Sequence, residues 1–288
     1  MTSPLRAIPE AIERLKQLDP VSDPVANAVT EVLPPGPVKD VLAGTWLGHP
    51  LHPVLTDVVL GAWTSAFVLD FVGGERTEQA ADTLVGVGVL ASAPTVLTGL
   101  ADWADTWGPT RRVGTVHAVG NLAAASVFGL SWIARRSGAR GLGVALGLLG
   151  MGIVSGTAYL GGHLVYANGV GVDASAFEHG PTTWTAVADE DDLPAHGGLV
   201  VRTGDAEIAL FRHDDWICGI AERCSHRGGP LHEGELENGR VTCPWHGSEF
   251  DVCSGSVLRG PATAPQHAYE TRIQNGRIEV RRRREPGG

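Results

Sequence analysis

Four long apolar stretches constrain this chain more than any other feature. They run from Val54 to Val72, Thr83 to Ala101, Val113 to Ala134 and Gly141 to Gly162. Each is close to the 20 or so apolar residues that cross a bilayer core. The second and fourth contain no charged residue, the third only His117, and the first only Asp57 and Asp70. Four consecutive spans with short polar connections predict an antiparallel transmembrane four-helix bundle, whose lipid bilayer is then an obligatory partner. Trp46, Trp103, Trp107 and Trp132 fall near span ends, where an aromatic belt belongs. Gly143, Gly147, Gly152 and Gly156 give the fourth span two small-xxx-small pairs for close helix packing. Asp70 reads as a solvated residue at a helix end.

The rest of the chain divides around that block. Residues 1–45 form an N-terminal amphipathic and Pro-rich segment, 46–167 the transmembrane domain, 168–181 a Gly-rich linker, and 182–284 a domain of water-soluble composition. Leu5, Ile8, Ile12 and Leu15 share one helical face, either on a membrane surface or against the chain's own bundle. A net charge of −10 argues against nucleic acid as a partner, because phosphate binding needs clustered Lys and Arg. The basic run Arg281 to Arg284 reads as a solvated tail.

Histidines gather at the span ends. His49 and His52 open the first span, His117 the third, and His163 closes the fourth. Alternating span direction predicts that all four lie at one membrane face, with Asp57, Asp102 and Asn121. Ionisable groups within spans are costly and default to a functional role. Two readings stand: a binding site for haem b or a quinone, or a hydrogen-bonded polar cluster. A covalent haem is excluded, since no Cys-x-x-Cys-His occurs.

The four cysteines all lie in the C-terminal domain. Cys224-Ser-His226 is followed after sixteen residues by Cys243-Pro-Trp-His246. Each half offers one thiolate and one imidazole, the donor set of a [2Fe–2S] centre in which two His replace two Cys on one iron. Zinc accepts the same donors but usually takes its cysteines as one pair and its histidines as another. The mixed halves therefore favour the cluster, with Cys224 and Cys243 on one iron, His226 and His246 on the other. Gly-Gly-Pro after Arg227 and Gly247-Ser248 after His246 supply turns whose amides can approach sulfur. Gly260-Pro261-Ala262 reads as a third loop over the site. Cys218 and Cys253 read as small buried hydrophobes.

These residues resemble the Rieske ferredoxins of bacterial ring-hydroxylating dioxygenase systems, over roughly Thr182 to Arg283. The string from Cys243 through Gly247-Ser-Glu-Phe-Asp-Val-Cys253-Ser-Gly255 is especially similar. The resemblance implies a small antiparallel β fold with a [2Fe–2S] cluster at the tip of two loops. Alternating runs at Gly198–Arg202, Glu207–Arg212, Trp216–Ala221 and Arg277–Arg281 fit it independently. Respiratory Rieske subunits carry an extra cysteine in each loop, bridged beside the cluster. Gly229 and Trp245 stand at those places, and Phe250 stands where a tyrosine would donate toward sulfur. Fewer donors imply a potential in the lower part of the Rieske range of about −150 to +300 mV. The membrane half resembles a bacterial four-helix membrane domain family that occurs alone and fused to Rieske domains. Its matching strings are Gly48-His49-Pro-Leu-His52-Pro-Val-Leu-Thr-Asp57, Leu100-Ala-Asp102-Trp103 and Gly161-Gly-His163-Leu-Val-Tyr166.

The combined expectation is an α plus β chain: a four-helix transmembrane bundle followed by a small antiparallel β Rieske domain, multi-pass in the cell membrane. It would transfer single electrons between a reductase or quinone pool and a terminal acceptor, as a component of an oxidoreductase system and not a complete enzyme. An iron–sulfur redox sensor and a partner-recruiting membrane anchor are the alternatives. A ferredoxin-like cluster without a protecting disulfide points to the cytoplasmic face.

Overall fold

A computed structural model describes residues 4–283, so Arg284 of the basic tail lies outside the described residues. The chain divides into two compact units: residues 4–33 with 51–170, and residues 34–50 with 171–283. The leading segment, expected as one piece, is thus shared between them.

The first unit is helical. α1 (Ala7–Glu13) and α2 (Asp19–Val32) precede four long helices, α4 (Leu51–Val72), α5 (Glu78–Ala104), α6 (Gly108–Arg136) and α7 (Arg140–Tyr166), with α3 (Pro37–Ala43) belonging to the other unit. All four are long and apolar enough to cross a membrane. Their outer faces leave Val72, Leu90, Leu122 and Ile133 more than half exposed, side chains that hydrocarbon would cover. Pro53 sits in the first turn of α4, where amides have no helical partner, and Pro109 opens α6 in the same way. Of the amphipathic α1, Ile12 is buried with Val113, Leu160 and Leu164. Arg112 reaches back to Asp19 at 2.7 Å and Arg111 to Asp23 at 2.8 Å. The N-terminal helices therefore pack on their own bundle.

The two helix pairs repeat one construction. His52 of α4 directs Nδ1 to the Thr95 carbonyl of α5 at 2.9 Å, and His117 of α6 directs Nδ1 to the Thr157 carbonyl of α7 at 2.8 Å. Each imidazole lies over the glycine one turn on, Gly99 or Gly161, where a Cβ would stand 2.6 or 3.0 Å from the ring. Eleven residues after each histidine come Trp63 and Phe128, packed over Gly88 and Gly150 of the next helix. These two rings stack on each other, 3.9 Å between centroids and 10° between planes. Small residues are required wherever a ring crosses a neighbouring backbone.

Asp70 and Arg135 also occupy equivalent positions, and here the sequence reading needs correction. Asp70 is not solvated: its side chain is 5% exposed and that of Arg135 is 1% exposed, and they pair at 2.5 Å. Asp82 binds both Arg135 (2.9 Å) and Arg140 (2.5 Å), and Arg140 also reaches Asp70 at 2.7 Å. A carboxylate facing apolar neighbours is tolerated only with such partners.

Among its described residues the second unit holds ten strands. β1 (Thr185–Asp189), β2 (Gly198–Thr203), β3 (Ala206–His213), β4 (Trp216–Ala221), β9 (Ala268–Gln274) and β10 (Arg277–Arg282) form one antiparallel sheet, in the order β1-β10-β9-β4-β3-β2. β5 (Glu235–Glu237), β6 (Arg240–Thr242), β7 (Glu249–Asp251) and β8 (Val257–Arg259) form a second antiparallel sheet in sequence order. Phe211, Ile220, Leu231, Val241, Phe250 and Val252 fill the core between them. Cys218 and Cys253, expected as small buried hydrophobes, are joined as a disulfide, their Cα atoms 4.7 Å apart. It links β4 of the larger sheet to the turn after β7, a pairing that sequence alone does not specify.

Residues 34–50 are a strap on this second unit, although they precede every long helix. Asp40 Oδ1 accepts the Gly260 amide at 3.0 Å, and the Thr45 hydroxyl donates to the Ala262 carbonyl at 3.3 Å. Gly247 lies so close to Pro35 that a Cβ would stand 2.7 Å from the proline ring. Lys39 and Ala43 are buried.

Candidate metal centre

Two loops built to one plan meet at the tip of the second unit. The first follows β4 and the second joins β6 to β7. In the first, Cys224 N–H donates to Gly229 O at 2.9 Å and Gly228 N–H returns to Cys224 O at 2.7 Å. In the second, Cys243 N–H donates to Ser248 O at 2.8 Å and Gly247 N–H returns to Cys243 O at 3.1 Å. Both return donors are glycines with left-handed backbone, φ 75° at Gly228 and 74° at Gly247, a conformation that costs other residues. The tight turn aims successive amides at the thiol. Those of His226 and Arg227 donate to Cys224 Sγ, those of Trp245 and His246 to Cys243 Sγ.

Cys224 and Cys243 are buried and hydrogen-bonded to each other. The thiol bond from Cys224, followed by the two amides, brings Cys243 down to about 7 against the cost of burial. Donating that bond, together with burial, pushes Cys224 up. His226 and His246 lie edge to face, 5.0 Å between ring centroids. Burial holds His226 well below the ordinary imidazole value, and the charges of Arg227, His246 and Lys39 add to it. The sequence motif is thus assembled in space as two thiols and two imidazoles. Among the described residues no three His, Cys, Asp or Glu side chains converge as one mononuclear ion would require. Two Cys and two His shared between two irons need no such convergence, so the donor set fits a [2Fe–2S] centre better than zinc.

The surroundings are rigid. Gly229 makes room for the second loop: a Cβ there would stand 2.8 Å from Cys243 Sγ and 3.1 Å from the Trp245 ring. The third loop ties down both others, Ala262 N–H donating to Ser248 Oγ at 3.0 Å and Ser225 O–H to Ala264 O at 2.7 Å. Arg259 holds the Gly247 carbonyl at 2.9 Å and pairs with Glu249 at 2.7 Å. Sequence reasoning missed Arg259, Glu249 and the buried Glu222, whose carboxylate meets His232 Nδ1 at 2.5 Å. Their partners stand ten to twelve residues away in sequence, a separation that no motif marks.

The bundle histidines each meet partners of their own. His49 is exposed and belongs to the strap of the second unit, its Nδ1 3.3 Å from Pro50 O. His163 meets Glu13 of α1 at 3.0 Å. His52 lies 3.3 Å from the Thr98 hydroxyl as well as bonding the Thr95 carbonyl. His117 uses both nitrogens: Nδ1–H donates to Thr157 O, and Nε2 accepts from Asn121 Nδ2 at 3.0 Å. Asn121 Oδ1 in turn accepts from the Thr157 hydroxyl at 2.7 Å. A hydroxyl, carbonyls, an amide and the Glu13 carboxylate thus partner these rings, and Asp57 is exposed.

Residues 183–270 match the Rieske [2Fe-2S] domain, and the chain belongs to that family. A [2Fe–2S] cluster is accordingly its cofactor, and electron transfer of the ferredoxin type is the work of this domain. Residues 48–174 match a second family, described as Predicted membrane protein (DUF2231), in agreement with the four helices long and apolar enough to cross a membrane. Three of the relatives are ferredoxins. Ferredoxin CarAc of Metapseudomonas resinovorans is 32% identical over 98 residues, 34% of this chain and 92% of its own. The anthranilate 1,2-dioxygenase ferredoxin subunit of Burkholderia cepacia is 38% identical over 97 residues, 34% of this chain and 90% of its own. The ferredoxin component of the naphthalene 1,2-dioxygenase/salicylate 5-hydroxylase systems of a Ralstonia species is 32% identical over 98 residues, 34% of this chain and 94% of its own.

Proposed function

We propose that this chain is a membrane-anchored one-electron carrier in which Cys224 and Cys243 ligate one iron of the cluster and His226 and His246 the other. The observation that carries the assignment is the matched pair of loops, each presenting one thiol under two amides and one imidazole. When bound, the cluster supplies a centre that alternates between two states one electron apart. The residues fix where it sits and how it is reached. Amides at positions 226, 227, 245 and 246 compensate negative charge on sulfur, Phe250 fills the core behind, and half-exposed Trp245 borders the imidazoles. The Ralstonia and Burkholderia relatives are components of dioxygenase systems, so a protein redox partner is the expected donor or acceptor. Phe250 brings no hydroxyl to the site, which supports a potential in the lower part of the family's range.

A haem or quinone relay through His49, His52, His117 and His163 is not carried forward. Closed hydrogen bonding at His117 and the Glu13 partner of His163 support the polar-cluster reading instead. Stable disulfides belong to oxidising compartments, so the Cys218–Cys253 bridge supports the outer face of the membrane for the cluster unit, against the cytoplasmic expectation.

The first test is spectroscopic, on the detergent-purified full chain. Air-oxidised absorbance that bleaches with dithionite, a Rieske-type electron paramagnetic resonance signal and no Soret band are expected. A protein that binds zinc from iron-replete cells refutes the carrier, and a Soret band restores the haem relay. Sidedness is read from fusions at the C-terminus: alkaline phosphatase should be active, and green fluorescent protein dark. The reverse pattern returns the cluster to the cytoplasm.

A further inference from the structure

Helix α2 (Asp19–Val32) meets three surroundings at once. Its inner face packs on α5 and α6, and there Ser22 and Ala26 are buried. A second flank is polar: Asp23, Asn27 and Glu31 fall within about 80° of one another at 100° per residue, Asn27 and Glu31 fully open. The third flank is apolar and uncovered. Val21, Val25 and Val32 are 66%, 47% and 78% exposed, and they lie within about 40° of one another. We propose that α2 is an interfacial membrane anchor, packed on the rim of the bundle by its inner face and sunk by its valine flank into the acyl boundary of the leaflet around it.

Three observations carry this. First, the flanks are those of a helix lying in the plane of a bilayer, one apolar side and one polar side along the same axis. The valine stripe runs for about 16 Å, most of the helix. Second, its depth is fixed by named contacts. Asp19 and Asp23 pair with Arg112 and Arg111 near the start of α6, immediately before the apolar stretch that opens at Val113. Charges at such a point mark where a span leaves hydrocarbon for headgroups. α2 therefore lies level with that boundary. Third, the helices beneath it carry lipid-facing side chains: Leu97 of α5 and Val119 of α6 are both more than half exposed. The valine flank continues that surface.

Lipid fits this flank better than a protein partner does. Three valines on one narrow stripe include no aromatic or arginine anchor of the kind that carries protein interfaces. Hydrocarbon needs no complementary shape, and it covers isolated apolar side chains at a boundary. The anchor has a consequence for the chain. α2 ends at Val32, and the second unit takes over from residue 34, so this crossing between the units is held at the bilayer surface.

The test uses the full-length protein in lipid vesicles. A nitroxide is attached at Val21→Cys, Val25→Cys and Val32→Cys, and on the polar flank at Asn27→Cys and Glu31→Cys. Wild-type protein treated alike corrects for label on the native cysteines. Power saturation compares oxygen, which concentrates in hydrocarbon, with a water-soluble nickel chelate. Oxygen should dominate at the three valine positions and the chelate at 27 and 31, a reversal of sign across one helix. Dominance of the chelate at all five positions overturns the proposal. Shielding of the valine positions from both reagents also overturns it, since a second copy or a protein partner would then cover the flank. Should the label disturb α2, unsubstituted protein decides. A lipid-phase carbene photoprobe is expected to leave adducts on Val21, Val25 and Val32 and none on Asn27 or Glu31, and an absence of adducts throughout α2 overturns the anchor. None of these readings depends on the cluster, so a failure of the electron-carrier reading would leave them intact.

Discussion

Replacing Gly229 with alanine tests the loop geometry most sharply. The added methyl would lie 2.8 Å from Cys243 Sγ and 3.1 Å from two atoms of the Trp245 ring. Comfortable heavy-atom contacts are about 3.5–4.0 Å, so something must retreat by roughly 1 Å. Cys243 resists, because its amide and carbonyl are both committed, to Ser248 at 2.8 Å and Gly247 at 3.1 Å. The first loop yields instead, and its outward movement strains the bond from Cys224 N–H to Gly229 O at 2.9 Å. Overpacking of this kind costs about 1–3 kcal/mol. At 1.4 kcal/mol per tenfold, the loop geometry that brings the two thiols together becomes roughly 5- to 150-fold less populated. Gly229→Ala should therefore be purified with substoichiometric iron and acid-labile sulfide and with a lowered thermal midpoint. Full iron loading with a wild-type midpoint would refute the reasoning, since it would mean that the two loops are not held at the separation described.

Three further outcomes follow from the same structure. Asp70→Asn and Arg135→Leu each break a buried ion pair, and each should cost about 3–5 kcal/mol in detergent unfolding; the double variant should cost clearly less than their sum. Strict additivity would mean that the pair contributes nothing as a pair. Reducing the Cys218–Cys253 bridge, which closes a separation of 35 residues, should destabilise the β unit by about 3–4 kcal/mol. Cys218→Ser should show no response of the thermal midpoint to dithiothreitol, and a persisting response would place the reducible bond elsewhere. Asp205 accepts the amides of Gly180 and His179, which together lower its pKa. Its stabilisation is present above the ordinary aspartate value near 3.9 and is lost as pH falls through the lower folded value. Amide exchange at Gly180, corrected for intrinsic rate, should accelerate over that acidic window in the wild type and be fast at all pH in Asp205→Ala.

What the sequence disclosed depended on whether the signal was local. The four spans are runs of apolar residues, and the α-helices found extend them by at most five residues at either end. The cluster motif was equally plain, because a ligand set of this kind must sit on two short loops. The strap left no such trace: seventeen residues rich in proline meet their partners some 200 positions away, through atoms that many side chains could offer. The disulfide was invisible for a related reason, since four cysteines do not announce their pairing. The repeat within the bundle is a different case. His52 with Trp63 and His117 with Phe128 share one spacing, as do Gly88, Thr95 and Gly99 with Gly150, Thr157 and Gly161. That pattern was legible in the letters, but its meaning emerges only once each ring is seen lying over the next helix's glycine. Asp70 misled because a charge near the end of a span usually reaches water, and its partner Arg135 falls just past the third apolar stretch.

The strap also constrains how the chain is made. A ribosome adding roughly 5–20 residues per second finishes residues 34–50 long before the sheet they belong to exists. Those residues must wait at the membrane surface while the bundle inserts, and the β unit cannot be completed until the last strands emerge. The two portions meet only if they end on one side of the bilayer, which requires an even number of crossings between residue 50 and residue 171. Four satisfies that parity; a variant that lost or gained one helix would strand the strap and the sheet on opposite faces.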